Sequence, residues 1–166
     1  MPGNQLGRRE FLAVAGCGTV GLVLWNSSTP AESAQRFEIT KTDAQWRQQL
    51  GAQRFYILRK AGTERAGTST LLNEHRRGVF TCAGCALPLF ASSTKYDSGT
   101  GWPSFYRPLK NAVITRPDRS LLMERTEVLC RRCGGHLGHV FNDGPRPTGR
   151  RYCMNGLALQ FRPENV

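Results

Sequence analysis

Cys82-Ala83-Gly84-Cys85 and Cys130-Arg131-Arg132-Cys133 are two CxxC pairs separated by residues 86–129. A two-residue spacing lets both sulfurs of a pair point to one side of a tight turn. Two such turns meeting face to face supply four thiolates in tetrahedral array, a donor set that suits Zn²⁺. A site with four thiolates is closed to substrate, so one zinc held by Cys82, Cys85, Cys130 and Cys133 is structural rather than catalytic. Gly134 follows the second pair, where a tight turn calls for positive φ. Two disulfides are the alternative in an exported chain, and a thioredoxin-like redox CxxC is a third reading. Two symmetric pairs in strand-rich surroundings favour the metal.

Beyond the quartet and Cys17 near the start of the chain stands Cys153, in Gly149-Arg150-Arg151-Tyr152-Cys153-Met154-Asn155. Cations beside a thiol favour the thiolate, which is the nucleophile, so Cys153 is the candidate reactive sulfur; an inert buried cysteine is the alternative. His136 and His139 directly follow the second CxxC pair. The four thiolates already saturate a zinc, so the histidines suit proton exchange near neutral pH; an ordinary hydrogen-bonded structural role is the alternative for either one. In an extended segment they need a bend at Gly138 to face one site. Trp102, in Gly99-Thr100-Gly101-Trp102-Pro103, puts an indole on a loop as an apolar wall for a small ligand, with core packing as the alternative.

The elements that must position these groups are short. Thr42 and Gln45 fit a capping box, and Trp46 and Leu50 then share a helical face, which predicts a helix over 43–50. Phe55 and Ile57 alternate with polar neighbours and read as a strand. Residues 60–70 read as a loop and Leu71–His75 as a helical turn. Short apolar runs broken by Gly and Pro lie near 79–82, 87–91, 112–116, 120–130, 137–142 and 157–162. They predict a mainly antiparallel β domain, with residues 97–108 as an ordered, aromatic loop. The 39% hydrophobic content and eight Phe argue against disorder, and 18 Gly with nine Pro against a long helical bundle.

The N-terminal stretch reads as an address. Arg8-Arg9 precede an uncharged run from Phe11 to Trp25, then small residues around Ala31 and Ala34. Basic start, short apolar segment and small-residue exit make residues 1–34 an export signal of twin-arginine type, with residues 35–166 as the mature catalytic domain, periplasmic or membrane-anchored. A buried N-terminal helix and lipidation at Cys17 are the alternatives. Within 1–34, Arg8 and Arg9 balance Glu10 and Glu32, so the net charge of +11 belongs to the mature part. A zinc tetrathiolate would bring it to about +9. The arginines are scattered, which describes a solvated basic surface better than a nucleic-acid stripe.

With these motifs on the page, the chain closely resembles the methionine-R-sulfoxide reductases, the B type. The matching segments are Gly62–Arg65, Gly78–Cys85, Lys95–Phe105, Arg125–Val128, Cys130–Cys133, His136–Pro145 and Arg151–Asn155. The resemblance implies two antiparallel sheets packed as a small barrel-like domain with a few peripheral helices and a structural zinc. It implies Cys153 as nucleophile, with His136, His139 and Asn155 on the sulfoxide oxygen. Arg151 would hold the thiolate and Asp143 orient the site. Trp102, with Phe105 and Phe141, would contact the substrate. Oxidised proteins or peptides would be the substrate, and a monomer with no nucleic-acid partner is expected. Many members carry a resolving cysteine where this chain has Thr100, so a thioredoxin-like or other external thiol would regenerate Cys153. A basic zinc-ribbon nucleic-acid-binding protein and a non-catalytic, membrane-anchored zinc domain are the competing classes; both leave Cys153 and the histidines without a role.

Overall fold

The computed structural model describes residues 36–120 and 124–164, so the export signal read over 1–34 lies outside the described residues. Helix α1 (Asp43–Lys60) starts at the expected capping box: Gln45 N donates to Thr42 Oγ1 at 3.3 Å and Thr42 N to Gln45 Oε1 at 2.9 Å. It then runs ten residues beyond the expected end. Gly51, at φ 70° and ψ 171°, interrupts it, and helix resumes to Lys60. The break resets the 3.6-residue phase, so the second half does not continue the Trp46–Leu50 stripe. Phe55 and Ile57, expected in a strand, belong to this second half and are buried. Three residues of apolar alternation are too few to distinguish strand from helix.

Nine strands follow among the described residues: β1 (Gly78–Cys82), β2 (Pro88–Ala91), β3 (Lys95–Tyr96), β4 (Ser104–Phe105), β5 (Val113–Asp118), β6 (Arg125–Cys130), β7 (His136–Phe141), β8 (Arg151–Met154) and β9 (Leu159–Pro163). They form two antiparallel sheets, one ordered β2-β1-β9 and one β3-β4-β8-β7-β6-β5. Single-turn 3-10 segments at 70–73, 92–94 and 156–158 join the strands. The expected strand over 120–130 is described from Arg125. The reading missed β8, which carries Cys153, the two-residue β3, and β4, which lies in the expected 97–108 loop.

The sheets meet over an aromatic core. Phe90 of β2 stacks on Phe105 of β4 at 4.4 Å between centroids, and Phe80 of β1 meets Phe105 edge-on at 5.0 Å. Tyr152 of β8 adds a fourth ring, 5.9 Å from Phe90. This corrects the expected role of Phe105. Its strand position pairs with Tyr152, one residue off Cys153, and its ring is fully buried between the sheets rather than at the substrate site. Strand alternation turns neighbouring side chains to opposite faces, so Ser104 is the residue level with Cys153. Phe105→Ala leaves a cavity at the sheet junction, and urea unfolding should show a loss of about 3–5 kcal/mol with the slope unchanged.

Candidate active site and metal clamp

The four ligand candidates come together as the spacing requires. The sulfurs of Cys82, Cys85, Cys130 and Cys133 all lie within 4.8 Å of one another, with Cys82–Cys133 at 3.7 Å and Cys85–Cys130 at 3.5 Å. A disulfide needs about 2.05 Å, so no pair is bridged. Four sulfurs at about 2.3 Å from one ion would be separated by roughly 3.8 Å, which is the arrangement found. Each pair sits on a tight turn closed by a backbone bond, Ala86 N to Cys82 O at 2.8 Å and Gly134 N to Cys130 O at 2.9 Å. Gly134 has φ 67°, and a Cβ there would lie 2.4 Å from the Phe37 ring. Without a cation the thiols conflict. Contacts with the other sulfurs, reinforced by burial, push the Cys82 thiol up, while the same contacts draw Cys85 down. A divalent ion lets all four ionise, so the donor set fits zinc.

Cys153 stands apart from this quartet as a free, half-buried thiol. It lines a pocket of about 140 Å³ with Trp102, His139, Phe141 and Asn155, together with Thr63 and Arg125. Gly138 belongs to the same wall: a Cβ there would fall 2.1 Å from the Cys153 carbonyl oxygen, so the close approach of β7 to β8 requires glycine. Arg151 is held by a two-point bridge to Asp143, at 2.9 and 2.7 Å, and lies 4.4 Å over the Phe141 ring. Asp143, then the charges of Cys153 and Tyr96, favour the guanidinium cation.

The two histidines reach one side through a bulge. Residues three apart on a regular strand face opposite ways. Between Gly138, opposite Val128, and His136, opposite Leu129, β7 carries one residue too many for its partner β6. The extra residue reverses the alternation, and the rings of His136 and His139 end 5.4 Å apart, edge to face. The bend expected at Gly138 is this bulge. The rings are not equivalent. His139 walls the pocket, whereas His136 is buried behind the wall and does not line it.

Each histidine leans on a carboxylate that the residue pattern did not single out. His136 Nδ1 donates to Glu127 Oε1 at 2.6 Å, and Arg116 bridges the other Glu127 oxygen. Burial pushes the Glu127 carboxyl up, but His136 and Arg116 hold it below the ordinary value. His139 Nε2 donates to Asp118 Oδ2 at 2.8 Å, and the same oxygen accepts from Arg125 Nη2 at 2.7 Å. Ser120, then His139 and Arg125, keep Asp118 well below the usual carboxylate range. Burial holds His139 below its ordinary value against the pull of Asp118, which favours a neutral ring carrying its proton on Nε2. Glu127 lay in a matched segment without a role; nothing in the spacing pointed to Asp118.

Glu64 ties the remaining walls together. Its N–H donates to Asn155 Oδ1 at 2.9 Å, and its carbonyl accepts from Trp102 Nε1 at 3.1 Å. Its buried carboxylate accepts from the backbone N–H groups of Gly156 and, at 3.0 Å, Leu157. Asn155 Nδ2 donates to Leu137 O at 3.2 Å, fixing the amide between the 62–65 loop and β7. Thr100 Oγ1 lies 3.8 Å from Cys153 Sγ.

A free thiol and an indole lining one pocket, with a carboxylate-held histidine beside them and a tetrathiolate clamp elsewhere, make a zinc-stabilised β scaffold with a site suited to thiol chemistry. Comparison with known proteins places the scaffold. Residues 50–163 match the SelR domain, and the chain belongs to that family. It is 53% identical over 129 residues to the peptide methionine sulfoxide reductase MsrB of Leptospira interrogans, covering 77% of this chain and 98% of that protein. The MsrB of Thiobacillus denitrificans is 56% identical over 126 residues, 75% of this chain and 96% of its own. The chloroplastic peptide methionine sulfoxide reductase B1 of Arabidopsis thaliana is 48% identical over 142 residues, 82% and 70% respectively.

Two outcomes follow from the clamp and the carboxylates. Wild-type protein should carry one zinc per chain by metal analysis. Cys130→Ser should carry none and unfold at far lower urea. Glu127 and Asp118 are held below their ordinary values of 4.5 and 3.8, so the unfolded chain binds those protons more readily. Their contribution is complete above the unfolded values and is lost as pH falls through the lower folded ones. His139, held below 6.5, has the same sign and adds an earlier decline. Stability measured from about pH 7 to pH 2 should fall first below 6.5 and again below 4.5, and Glu127→Gln should flatten the second step.

Proposed function

We propose that the protein is a peptide-methionine (R)-S-oxide reductase, an oxidoreductase that returns oxidised methionine in proteins to the thioether, with Cys153 as its nucleophile. The observation that carries this reading is the free Cys153 thiol in a methionine-sized pocket between Trp102 and His139. The indole, anchored through Glu64, offers an apolar face to the substrate's methyl group. Cys153 as thiolate attacks the sulfoxide sulfur. The sulfoxide oxygen is a poor leaving group until protonated; the Cys153 thiol proton passes first to the neutral His139 ring, and the cation so formed, stabilised by Asp118, delivers it to that oxygen. An Sγ–S bond forms, the protonated oxygen passes to Sγ as the S–O and Sγ–S bonds break, and methionine leaves as the thioether with two more electrons than it brought, Cys153 being left as sulfenic acid.

Regeneration needs two electrons from outside. One external thiol condenses with the sulfenic acid, releasing water and leaving a mixed disulfide. A second thiol cleaves that disulfide and frees Cys153. Thr100 beside the sulfur offers a hydroxyl where a resolving thiol would be needed. Thioredoxin-like proteins are the donor class, acting on a monomeric enzyme. Arg8-Arg9 and the apolar run to Trp25 support export to the periplasm. Zinc, when bound, supplies no chemistry at this site; it fixes the turns at 82–85 and 130–133.

Cys153→Ser should reduce turnover of N-acetyl-methionine-R-sulfoxide with dithiothreitol by at least about 10⁴-fold, the scale of losing a covalent nucleophile, with zinc content unchanged. Wild-type protein oxidised by substrate without reductant should gain a single oxygen on the Cys153 peptide in mass spectra. Normal turnover by Cys153→Ser would overturn the assignment.

A further inference from the structure

A second cavity, of about 920 Å³, opens between the C-terminal half of α1, the loop after it and β9, and it shares Thr63 with the Cys153 pocket. Its floor continues from the active site, since Gly156 and Leu157 directly follow Asn155. Three features set it apart from ordinary surface. Tyr56, 56% exposed, is the one exposed large hydrophobic side chain among the described residues, and it stands in this cavity. Its ring rests against Gly62, where a Cβ would fall 2.3 Å from it, so the aromatic is held in place. Arg54 and Arg65 line the cavity with no carboxylate paired to them among the described residues. The cavity's own carboxylates are engaged, Glu74 with Arg76 and Glu64 with the Gly156 and Leu157 N–H groups. The cavity's three arginines thus outnumber its two carboxylates, and the excess positive charge stands on guanidinium groups without an ion-pair partner, beside a rigid aromatic.

Resting on the reductase reading, we infer that this cavity binds the polypeptide flanking the oxidised methionine and selects acidic flanks. The Cys153 pocket has room for one side chain, so the chain that bears it must run over the adjoining surface. Thr63 is the wall common to both spaces, which makes the cavity the path out. Rigid aromatic and arginine side chains are the groups that most often anchor a peptide. The two free guanidinium groups set the sign of the charge they accept.

The test compares turnover by the full chain, with dithiothreitol as reductant, of three substrates. These are N-acetyl-methionine-R-sulfoxide and peptides with methionine-R-sulfoxide flanked by Asp/Glu or by Lys. The acidic peptide should be preferred over the basic one in kcat/KM by about fivefold, the size of two exposed ion pairs, and the preference should fade as salt rises. The double variant Arg54→Ser, Arg65→Ser should erase the preference while leaving the small substrate unchanged. Tyr56→Ala should raise KM for both peptides alone. Equal turnover of the two peptides, or a preference that survives in the double variant, overturns the inference. A preference seen only when thioredoxin replaces dithiothreitol assigns the cavity to the reductant instead and overturns it equally. Failure to turn over the small substrate would sink the reductase reading itself, and this inference with it.

Discussion

Glu64 is the residue on which the geometry of the site depends. Its backbone holds Asn155 on one side and the Trp102 indole on the other, while its carboxylate takes two backbone N–H groups just beyond β8. Such a buried carboxylate persists only because donors surround it; unpaired, it would cost several kcal/mol. The result is that the loop after α1, the tryptophan loop and the end of the strand bearing Cys153 move as one body. Each wall of the pocket is then placed relative to the same point.

The second constraint comes from strand geometry. β7 and β8 approach so closely at Gly138 that no side chain fits, and the adjacent bulge turns two histidines to one side. Behind them, Asp118 and Glu127 come from neighbouring strands β5 and β6, each shared between a histidine and an arginine. The sharing answers an electrostatic problem. A lone carboxylate at this depth would drift toward its neutral form, whereas one with two partners stays ionised and keeps the imidazole tautomer fixed. The metal clamp contributes by anchoring the turn at one end of β1 and the turn joining β6 to β7.

Much of this was legible in the residues, for reasons that separate local from long-range information. The capping box at Thr42 and the paired cysteine turns are written in neighbouring positions, and the structure has both of them. The strand reading of Phe55 and Ile57 failed because the glycine at 51 shifts the helical phase, a tertiary effect invisible in a short window. Phe105 was misplaced because a two-residue strand shows no alternation to say which of Ser104 and Phe105 faces inward. Asp118, Glu127 and the bracing role of Glu64 were illegible because they depend on strand register and on contacts as distant as residues 64 and 155. An acidic side chain with such a partner looks, in one dimension, like any solvated one.

The hydroxyl of Thr100 lies 3.8 Å from the Cys153 sulfur, at the head of the tryptophan loop. The electron route of such an enzyme is therefore separable from its architecture. On the proposed reading, a sulfur in place of that oxygen would let the catalyst close its own cycle internally, whereas a hydroxyl there would leave it to draw on whatever reducing currency its surroundings provide. One side chain in one loop would then decide whether such a device is self-contained or tied to the redox state around it.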